Sequence, residues 1–215
     1  MTTIIPTVFA HNKKEFYYRF NKVVKISKKI QIDFMDWKFV DSKGISLSDI
    51  ENLTKYKNKF EAHLMLINPK KLLVKLRNKG FYKVLFHYET IKSIGELKNI
   101  INEIKKNKME AWITFNPTTE INEILEVLDK INGIKGIMLM GVFPGKEHQN
   151  INNNIYERIR KIRLFTNLKI QIDGGVNEKN AKKLSEAGAD ILNSGSFISD
   201  SKNPRKALMM LKKAL

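Results

Sequence analysis

Short apolar runs alternate with longer amphipathic stretches along almost the whole chain. The runs have the length of strands and cover residues 3–9, 30–34, 61–66, 83–87, 111–115, 136–140, 169–173 and 190–194. Between them, apolar residues recur with helical spacing, as over residues 13–28, 93–106, 120–130, 155–165, 178–187 and 204–213. Eight strand–helix pairs predict parallel strands and, at this number, a closed barrel rather than an open sheet. The predicted fold is α/β, a single-domain (β/α)8 TIM barrel over residues 1–215.

A barrel of parallel strands gathers the ends of its strands around one opening, where barrel active sites lie. Polar residues occupy several of these positions: Asp33, Asp36, His63, His87 and Asp173. Asp33 and Asp173 belong to strands that we expect on opposite sides of the opening, with room for a substrate between them. Two carboxylates on opposite faces of one carbon can remove a proton and return it on the other side, which inverts the carbon. Each aspartate alone is equally compatible with a helix cap, but the pair favours proton-transfer chemistry.

His63 adds a nitrogen atom to the two predicted carboxylates. A single histidine in a strand is more often a core residue than a ligand. With Asp33 and Asp173 nearby, however, a mixed oxygen and nitrogen site for a divalent cation becomes credible. Such an ion stabilises the enediolate that forms when a carbon next to a carbonyl loses its proton. His87 is expected either to support this site or to bond a loop, and His148 lies in a loop that can close over a substrate.

Glycines follow the last two predicted strands. Gly174 and Gly175 come directly after Asp173, and Gly195 and Ser196 come after the eighth strand. Backbone N–H groups exposed at such strand ends hold a phosphate without the help of a cation. Many barrels bind phosphate in this place. The sequence therefore predicts a small phosphorylated substrate.

Three methionines fall near the ends of the second, third and sixth predicted strands: Met35, Met65 and Met140. Methionines in a barrel usually fill the core, but three that converge on one opening can form an apolar floor under the reacting carbons. Trp37 is expected to pack near the opening or to cover it, and Trp112 is expected in the core.

Composition adds information about the setting of the protein. The chain has no cysteine, which excludes disulfides, thiolate nucleophiles and cysteine metal sites. Its formal charge of +17 comes from lysines spread along the chain, which indicates a solvated surface that also attracts an anionic substrate. We do not expect nucleic-acid binding, since no recognised module is visible. The chain has neither a signal peptide nor an apolar run of the roughly 18 residues that a membrane span needs, so we expect a cytoplasmic protein.

Six short motifs resemble those of ribulose-phosphate 3-epimerases and occur in the same order. They are residues 6–10 (PTVFA), 31–36 (QIDFMD), 63–65 (HLM), 140–145 (MGVFPG) with Gln149, 173–176 (DGGV) and 194–196 (SGS). The resemblance runs over nearly the whole chain, and six ordered motifs are far more specific than any one of them. It implies a metal-dependent barrel of the ribulose-phosphate-binding type that interconverts D-ribulose 5-phosphate and D-xylulose 5-phosphate by proton transfer at C3.

The resemblance also implies roles for individual residues. Asp33 and Asp173 would be the two acid/base residues and, together with His63, ligands of one divalent ion such as Zn, Fe, Mn or Co. A second group would contact the substrate and its phosphate: Thr7, Met35, Met65, Met140, Gly145, Gly174, Gly175, Gly195 and Ser196. The implied partner is a phosphorylated ketose, and the implied assembly is a homo-oligomer.

Several segments depart from the family pattern. Gln31 stands where the family has a metal-binding histidine, and its amide oxygen is a poorer ligand than imidazole for zinc, iron or cobalt. Residues 35–42 lack the family's glycine, proline and asparagine, and the glycine-rich lid becomes the charged segment 144–149. These changes affect substrate and turnover more than fold. The alternatives are a 3-epimerase of another ketose phosphate, such as a hexulose 6-phosphate, and a non-catalytic relative that binds a phosphorylated ligand or a partner.

Overall fold

The computed structural model describes residues 2–215 and contains a closed barrel of eight parallel strands. Neighbouring strands pair in chain order, and the first pairs with the eighth to close the sheet. The strands are β1 Thr3–Val8, β2 Ile30–Met35, β3 Phe60–Met65, β4 Phe81–His87, β5 Glu110–Phe115, β6 Gly136–Met140, β7 Lys169–Asp173 and β8 Ile191–Ser194. The predicted closed α/β barrel is confirmed, and each predicted strand boundary lies within two residues of the observed one.

Eight α-helices are present in the described residues. They are α1 Lys13–Val23, α2 Leu73–Lys79, α3 Ile94–Lys106, α4 Ile121–Lys130, α5 Ile155–Phe165, α6 Ala181–Ala187, α7 Ser196–Ser199 and α8 Pro204–Lys213. The predicted alternation of one helix with each strand is broken at two places. The connection from β2 to β3 contains only a short 3-10 helix, Leu47–Asp49, whereas both α7 and α8 follow β8. None of the helices formed by residues 2–215 combines the length and the apolar character needed to cross a membrane.

The first helix is shorter than its apolar pattern predicts. It ends at Val23 rather than at residue 28. Beyond this end, the Ser27 hydroxyl donates a hydrogen bond to the carbonyl oxygen of Lys29 at 2.7 Å. A local side-chain bond of this kind stabilises a turn in competition with the helix.

The helix α3 shows how the outer layer packs on the barrel. Its buried residues are Leu97, Ile100, Ile101 and Ile104, a spacing that places them on one face of the helix. The Ser93 side chain accepts a hydrogen bond from the first turn of α3 and so caps its free N–H groups. The outward-facing residues of the strands meet these apolar helix faces and form the main hydrophobic core.

The interior of the barrel is only partly apolar. Side chains of Leu85, Trp112, Met138 and Met140 form a small cluster inside it. Trp112 is 3% exposed, as predicted, and the Lys83 ammonium lies 3.5 Å from the centre of its ring. The remaining interior positions carry polar groups, several of them fully buried. A barrel interior of this composition needs hydrogen-bond partners for each of those groups, and this requirement shapes the candidate site.

Candidate active site

A cavity lies at the carboxyl ends of the strands and contains most of the residues that the sequence predicts for a site. Its wall includes Thr7, Asp33, His63, Met65, Met140, Gly145, Asp173, Gly174, Gly175, Gly195 and Ser196. Two predicted residues do not line it. Met35 packs in a small apolar cluster with Phe9, Val40 and Met65. Gln31 is fully buried and reaches the site only through its bonds to Asp33 and Asp173.

Asp33, His63 and Asp173 form one buried cluster on the floor of the cavity. Each offers one ligand atom, and the three atoms lie within 4.8 Å of one another. The Nδ1 atom of His63 is 3.1 Å from Asp33 Oδ1 and 3.3 Å from Asp173 Oδ2. The strands that carry the two aspartates, β2 and β7, are three positions apart around the barrel. Carboxylate oxygens and imidazole nitrogen are the ligands that zinc and related divalent ions accept, so this cluster can bind such an ion.

A chain of hydrogen bonds behind the cluster orients His63. Glu89 is a carboxylate and can only accept, so His87 donates to it from Nδ1, across 3.3 Å. The other ring nitrogen of His87 then accepts from His63 Nε2, at 2.9 Å. His63 therefore directs Nδ1 towards the two carboxylates. A histidine whose second nitrogen is held by such a partner has the orientation that metal ligands usually need.

Burial and charge perturb the pKa values of this cluster in its metal-free state. Burial and the neighbouring charge of Asp173 outweigh the hydrogen bond from His63 and raise the pKa of Asp33 to about 6. Burial acts to lower the pKa of His63. The hydrogen bonds to Asp173 and Asp33, together with the charges of these carboxylates, outweigh burial and raise the pKa to about 9. For His87, burial dominates and lowers the pKa to about 4. A neutral His87 is the form that can accept the hydrogen bond from His63.

Gln31 donates to both aspartates. Its Nε2 atom is 2.9 Å from Asp33 Oδ1 and 2.7 Å from Asp173 Oδ2. Its Oε1 atom points away from them and accepts hydrogen bonds from Gln171 and Asn193, at 3.2 and 2.9 Å. With this orientation the amide oxygen, the only ligand atom that glutamine has, is turned away from the cluster. Gln31, at the position of the family's metal-binding histidine, thus donates to both carboxylates and holds them together.

A buried ion pair deeper in the barrel determines this orientation. Lys83 lies 3.0 Å from Glu61 and donates to Gln171 Oε1 at 2.5 Å. An ammonium group has donors only, so Gln171 must present its oxygen to Lys83 and its NH₂ group to acceptors. That NH₂ group lies 2.6 Å from both Glu61 Oε1 and Asn193 Oδ1, and 3.2 Å from Gln31 Oε1. The direction of each amide thus follows from the Lys83–Glu61 pair, and Gln31 is left with its NH₂ group facing the aspartates.

Replacing Gln31 with histidine is expected to strengthen divalent-metal binding by about tenfold or more, because imidazole supplies a nitrogen ligand where the amide donates. Titration calorimetry with Mn²⁺ and Zn²⁺ measures this change. Gln31→Leu is the matched control, since it removes the donor and adds no ligand. Equal affinities for the histidine and leucine variants would contradict the expectation.

The two glycines after β7 have backbone conformations that other residues rarely adopt. Gly174 has φ +96° and Gly175 has φ +72°. A Cβ atom on Gly174 would lie 2.3 Å from a methyl carbon of Val142, and one on Gly175 would lie 2.9 Å from the backbone nitrogen of Ile151. The turn therefore requires glycine twice. It brings bare backbone to the cavity wall next to Gly195.

A loop of residues 143–149 covers one side of the cavity and is the candidate lid. Gln149 Nε2 donates to the carbonyl oxygens of Phe143 and Lys146, at 2.7 and 2.9 Å, and so closes the loop on itself. Glu147 fastens it to α1 through Arg19, at 2.7 Å. His148, proposed from the sequence as a loop residue, lines the cavity but its side chain is largely exposed.

Asp36 and Trp37 lie outside the cavity wall. Asp36 accepts hydrogen bonds from the backbone N–H groups of Lys38, Phe39 and Ile67, at 2.9, 2.9 and 2.8 Å, and so caps the turn after β2. Trp37 is 65% exposed and has φ +65°. These residues shape a loop at the opening rather than the reacting centre.

The residues that orient Gln31 were not predicted as site residues. Their spacing could have indicated them. Each residue of the Asp–His–Asp cluster on β2, β3 and β7 has a polar residue two positions before it on the same strand, namely Gln31, Glu61 and Gln171. Side chains two positions apart share one face of a strand, so these residues share the barrel interior with the candidate site. Arg19 had no such signal, since it lies on the outer helix α1 and reaches the lid across the chain.

Comparison with known proteins shows which family this chain matches. The model of the ribulose-phosphate 3 epimerase family matches residues 2–199. A ribulose-phosphate 3-epimerase of Oryza sativa subsp. japonica, named as a cytoplasmic isoform, is 27% identical over 188 residues, which cover 86% of this chain and 82% of that protein. The enzyme of the same name from Chlamydia muridarum is 30% identical over 192 residues, covering 85% and 82% of the two chains.

Solved structures support the fold. A 3-hexulose-6-phosphate synthase superposes with a TM-score of 0.72 at 14% identity and covers 100% of both chains. KGPDC from Streptococcus mutans superposes with a TM-score of 0.75 at 13% identity, covering 99% of this chain and 96% of that one. At such identities the similarity concerns the barrel alone. The family match, by contrast, extends over residues 2–199, the range in which Asp33, His63 and Asp173 lie. The chain belongs to the ribulose-phosphate 3-epimerase family.

Proposed function

We propose that this protein is a sugar-phosphate 3-epimerase that interconverts D-ribulose 5-phosphate and D-xylulose 5-phosphate. The observation that carries the proposal is the pair of buried carboxylates, Asp33 and Asp173, held beside His63 on the floor of a cavity. Membership of the family supports the reaction at the level of a sugar-phosphate epimerase. The substrate and the roles of single residues are parts of the proposal.

Proton transfer by the two aspartates accounts for the reaction. One carboxylate removes the proton from C3, and the electron pair of that C–H bond becomes part of an enediolate with the neighbouring carbonyl. The second carboxyl group returns a proton to C3 from the other face, which inverts the carbon. The Gln31 NH₂ group keeps both carboxylates in place.

Asp33, His63 and Asp173 are the residues that would hold one divalent ion, Zn, Fe, Mn or Co. Such an ion supplies positive charge that stabilises the enediolate oxygens. His87 and Glu89 keep His63 in the ligand orientation. Gln31 would not join these three ligands in this orientation, because its oxygen faces Gln171 and Asn193.

The rest of the cavity suits a phosphorylated ketose. Met65 and Met140 provide apolar wall near the two aspartates, and Thr7 provides a hydroxyl group. The bare backbone of Gly174, Gly175, Gly195 and Ser196, with Gly145 of the lid, lines the side proposed for the phosphate. Backbone N–H groups are suited to phosphate oxygens. We propose in addition that the chain forms one domain, assembles as a homo-oligomer and is located in the cytoplasm.

Epimerisation of D-ribulose 5-phosphate by the purified protein, with and without Zn²⁺, Mn²⁺, Fe²⁺ or Co²⁺, tests the proposal. We expect xylulose 5-phosphate to form and the C3 proton to exchange with solvent deuterium. A hexulose 6-phosphate is assayed beside it, because the charged lid at Lys146 and Glu147 favours a changed substrate as the second candidate. If neither product nor exchange appears with any metal, the pentulose proposal fails. Turnover of the hexulose phosphate alone would establish the second candidate.

A further inference from the structure

Glu147 of the lid occupies an unusual position for a carboxylate. Its side chain lines the cavity together with Gly195 and Ser196, on the side proposed for the phosphate. The Oε1 atom is buried and accepts no hydrogen bond from the described residues. It lies 3.9 Å from the place where a Cβ atom on Gly195 would stand. A buried polar atom without a partner is rare and calls for a specific explanation.

The other oxygen of Glu147 holds the lid to the barrel. Oε2 accepts a hydrogen bond from Arg19 Nη1 at 2.7 Å. Arg19 is 9% exposed, and the same nitrogen donates to the carbonyl oxygen of Phe9 at 2.8 Å. Its Nη2 atom is 3.3 Å from Glu15 and 3.4 Å from Asp200. Arg19 is thus a nearly buried cation behind the cavity wall, where it holds Phe9 and Glu147, and Glu147 is the one of its three carboxylates that lines the cavity.

A phosphate bound at the four-residue backbone wall of Gly174, Gly175, Gly195 and Ser196 would meet this carboxylate. Two negative groups a few ångströms apart, with little water between them, repel each other strongly. Burial already disfavours the charged form of Glu147 and raises its pKa, although the bond from Arg19 opposes this. The phosphate and the Glu147 carboxylate therefore compete for one place.

We propose that Glu147 is a specificity-determining lid residue on the phosphate side of the cavity, and that the phosphate of the substrate displaces it and gains Arg19 as a cation. The inference rests on the proposed function, because it places the phosphate of the substrate at this wall. Glu147 then lowers the affinity for every anion that cannot replace it at Arg19. A dianionic phosphate with several acceptor oxygens is suited to do so, since guanidinium groups bind such oxygens in pairs.

Binding of inorganic phosphate, measured by titration calorimetry on the full-length protein, tests this inference without requiring turnover. Glu147→Gln keeps the shape of the side chain and removes its charge, and we expect it to bind phosphate about tenfold more tightly. Arg19→Met is expected to bind it about tenfold more weakly. Glu157→Gln is the matched control, because it changes the net charge equally at an exposed site paired with Lys161 on α5. Thermal unfolding of each variant shows that it is folded.

The outcomes separate this inference from the proposed function. Tighter phosphate binding by Glu147→Gln than by Glu157→Gln supports the competition. Equal or weaker binding overturns it, and weaker binding would make Glu147 a direct contact of the ligand. If Arg19→Met does not fold, the comparison of the two glutamine variants decides alone. Absence of phosphate binding in wild type and variants overturns the inference as well, whereas the proposed function is judged separately by turnover of ribulose 5-phosphate.

Discussion

Replacing Asp173 with asparagine is expected to lower kcat for epimerisation by about 10²- to 10⁴-fold, the usual contribution of a positioned acid or base. Asparagine has nearly the same shape, and its amide oxygen can still accept the bond from Gln31 Nε2, which spans 2.7 Å in the wild-type protein. It cannot take or give a proton at C3, however. The barrel should stay folded, because this change affects one hydrogen-bond acceptor and leaves the packed helices untouched.

Deuterium exchange distinguishes a two-base reaction from a simple loss of the site. With Asp173→Asn, the remaining Asp33 still removes the proton from the one epimer whose C–H bond faces it, and solvent deuterium is incorporated there. With Asp33→Asn, exchange is expected in the other epimer. Each variant is incubated in D₂O with each 5-phosphate and followed by NMR, and its metal content is measured in parallel.

Two results would contradict this assignment of roles. One is exchange of the same epimer by both variants, which would mean that a single group acts on both faces. The other is wild-type turnover in either variant, since neither asparagine can transfer the proton. Glu157→Gln serves again as a control on the exposed surface, where epimerisation is expected to remain at the wild-type rate.

Replacing Lys83 with methionine is expected to lower the free energy of unfolding by about 3–5 kcal/mol, the usual cost of removing one member of a buried ion pair. Lys83 is 1% exposed and Glu61 is fully buried. Burial lowers the pKa of Lys83, and the charge of Glu61 opposes this effect. Without the ammonium group, the Glu61 carboxylate stays in the barrel without its counterion, and Gln171 Oε1 loses the donor at 2.5 Å. Urea denaturation measures the change.

The double variant Glu61→Gln, Lys83→Met is the informative comparison. It removes both charges, so we expect it to regain much of the stability that the single variant loses. It also removes the ammonium donor that orients the amide of Gln171. The amide of Gln31, which is bonded to Gln171, can then turn as well. A loss below about 1 kcal/mol in the single variant would show that the pair contributes little, as exposed pairs do.

The contrast between Asp173 and Gln31 shows how far the sequence alone leads towards this site. The position of Asp173 follows from a β-branched run that ends in a carboxylate and two glycines, a local pattern that the barrel places at its opening. The role of Gln31 follows from contacts with residues of other strands. No local pattern encodes them, because the orientation of an amide depends on donors that arrive from β4 through β7 and β8.

The sequence by itself determined the alternation of strands and helices, and with it the barrel and the set of strand ends that carry Asp33, His63, Asp173 and the glycines. Periodicity determines these features because a strand or helix must bury one face. Only the tertiary structure decided that the Gln31 nitrogen faces the aspartates and that Glu147 binds Arg19, 128 residues away. Such contacts depend on which hydrogen-bond partners the closed barrel brings within about 3 Å of each other, and that distance is a property of the whole fold.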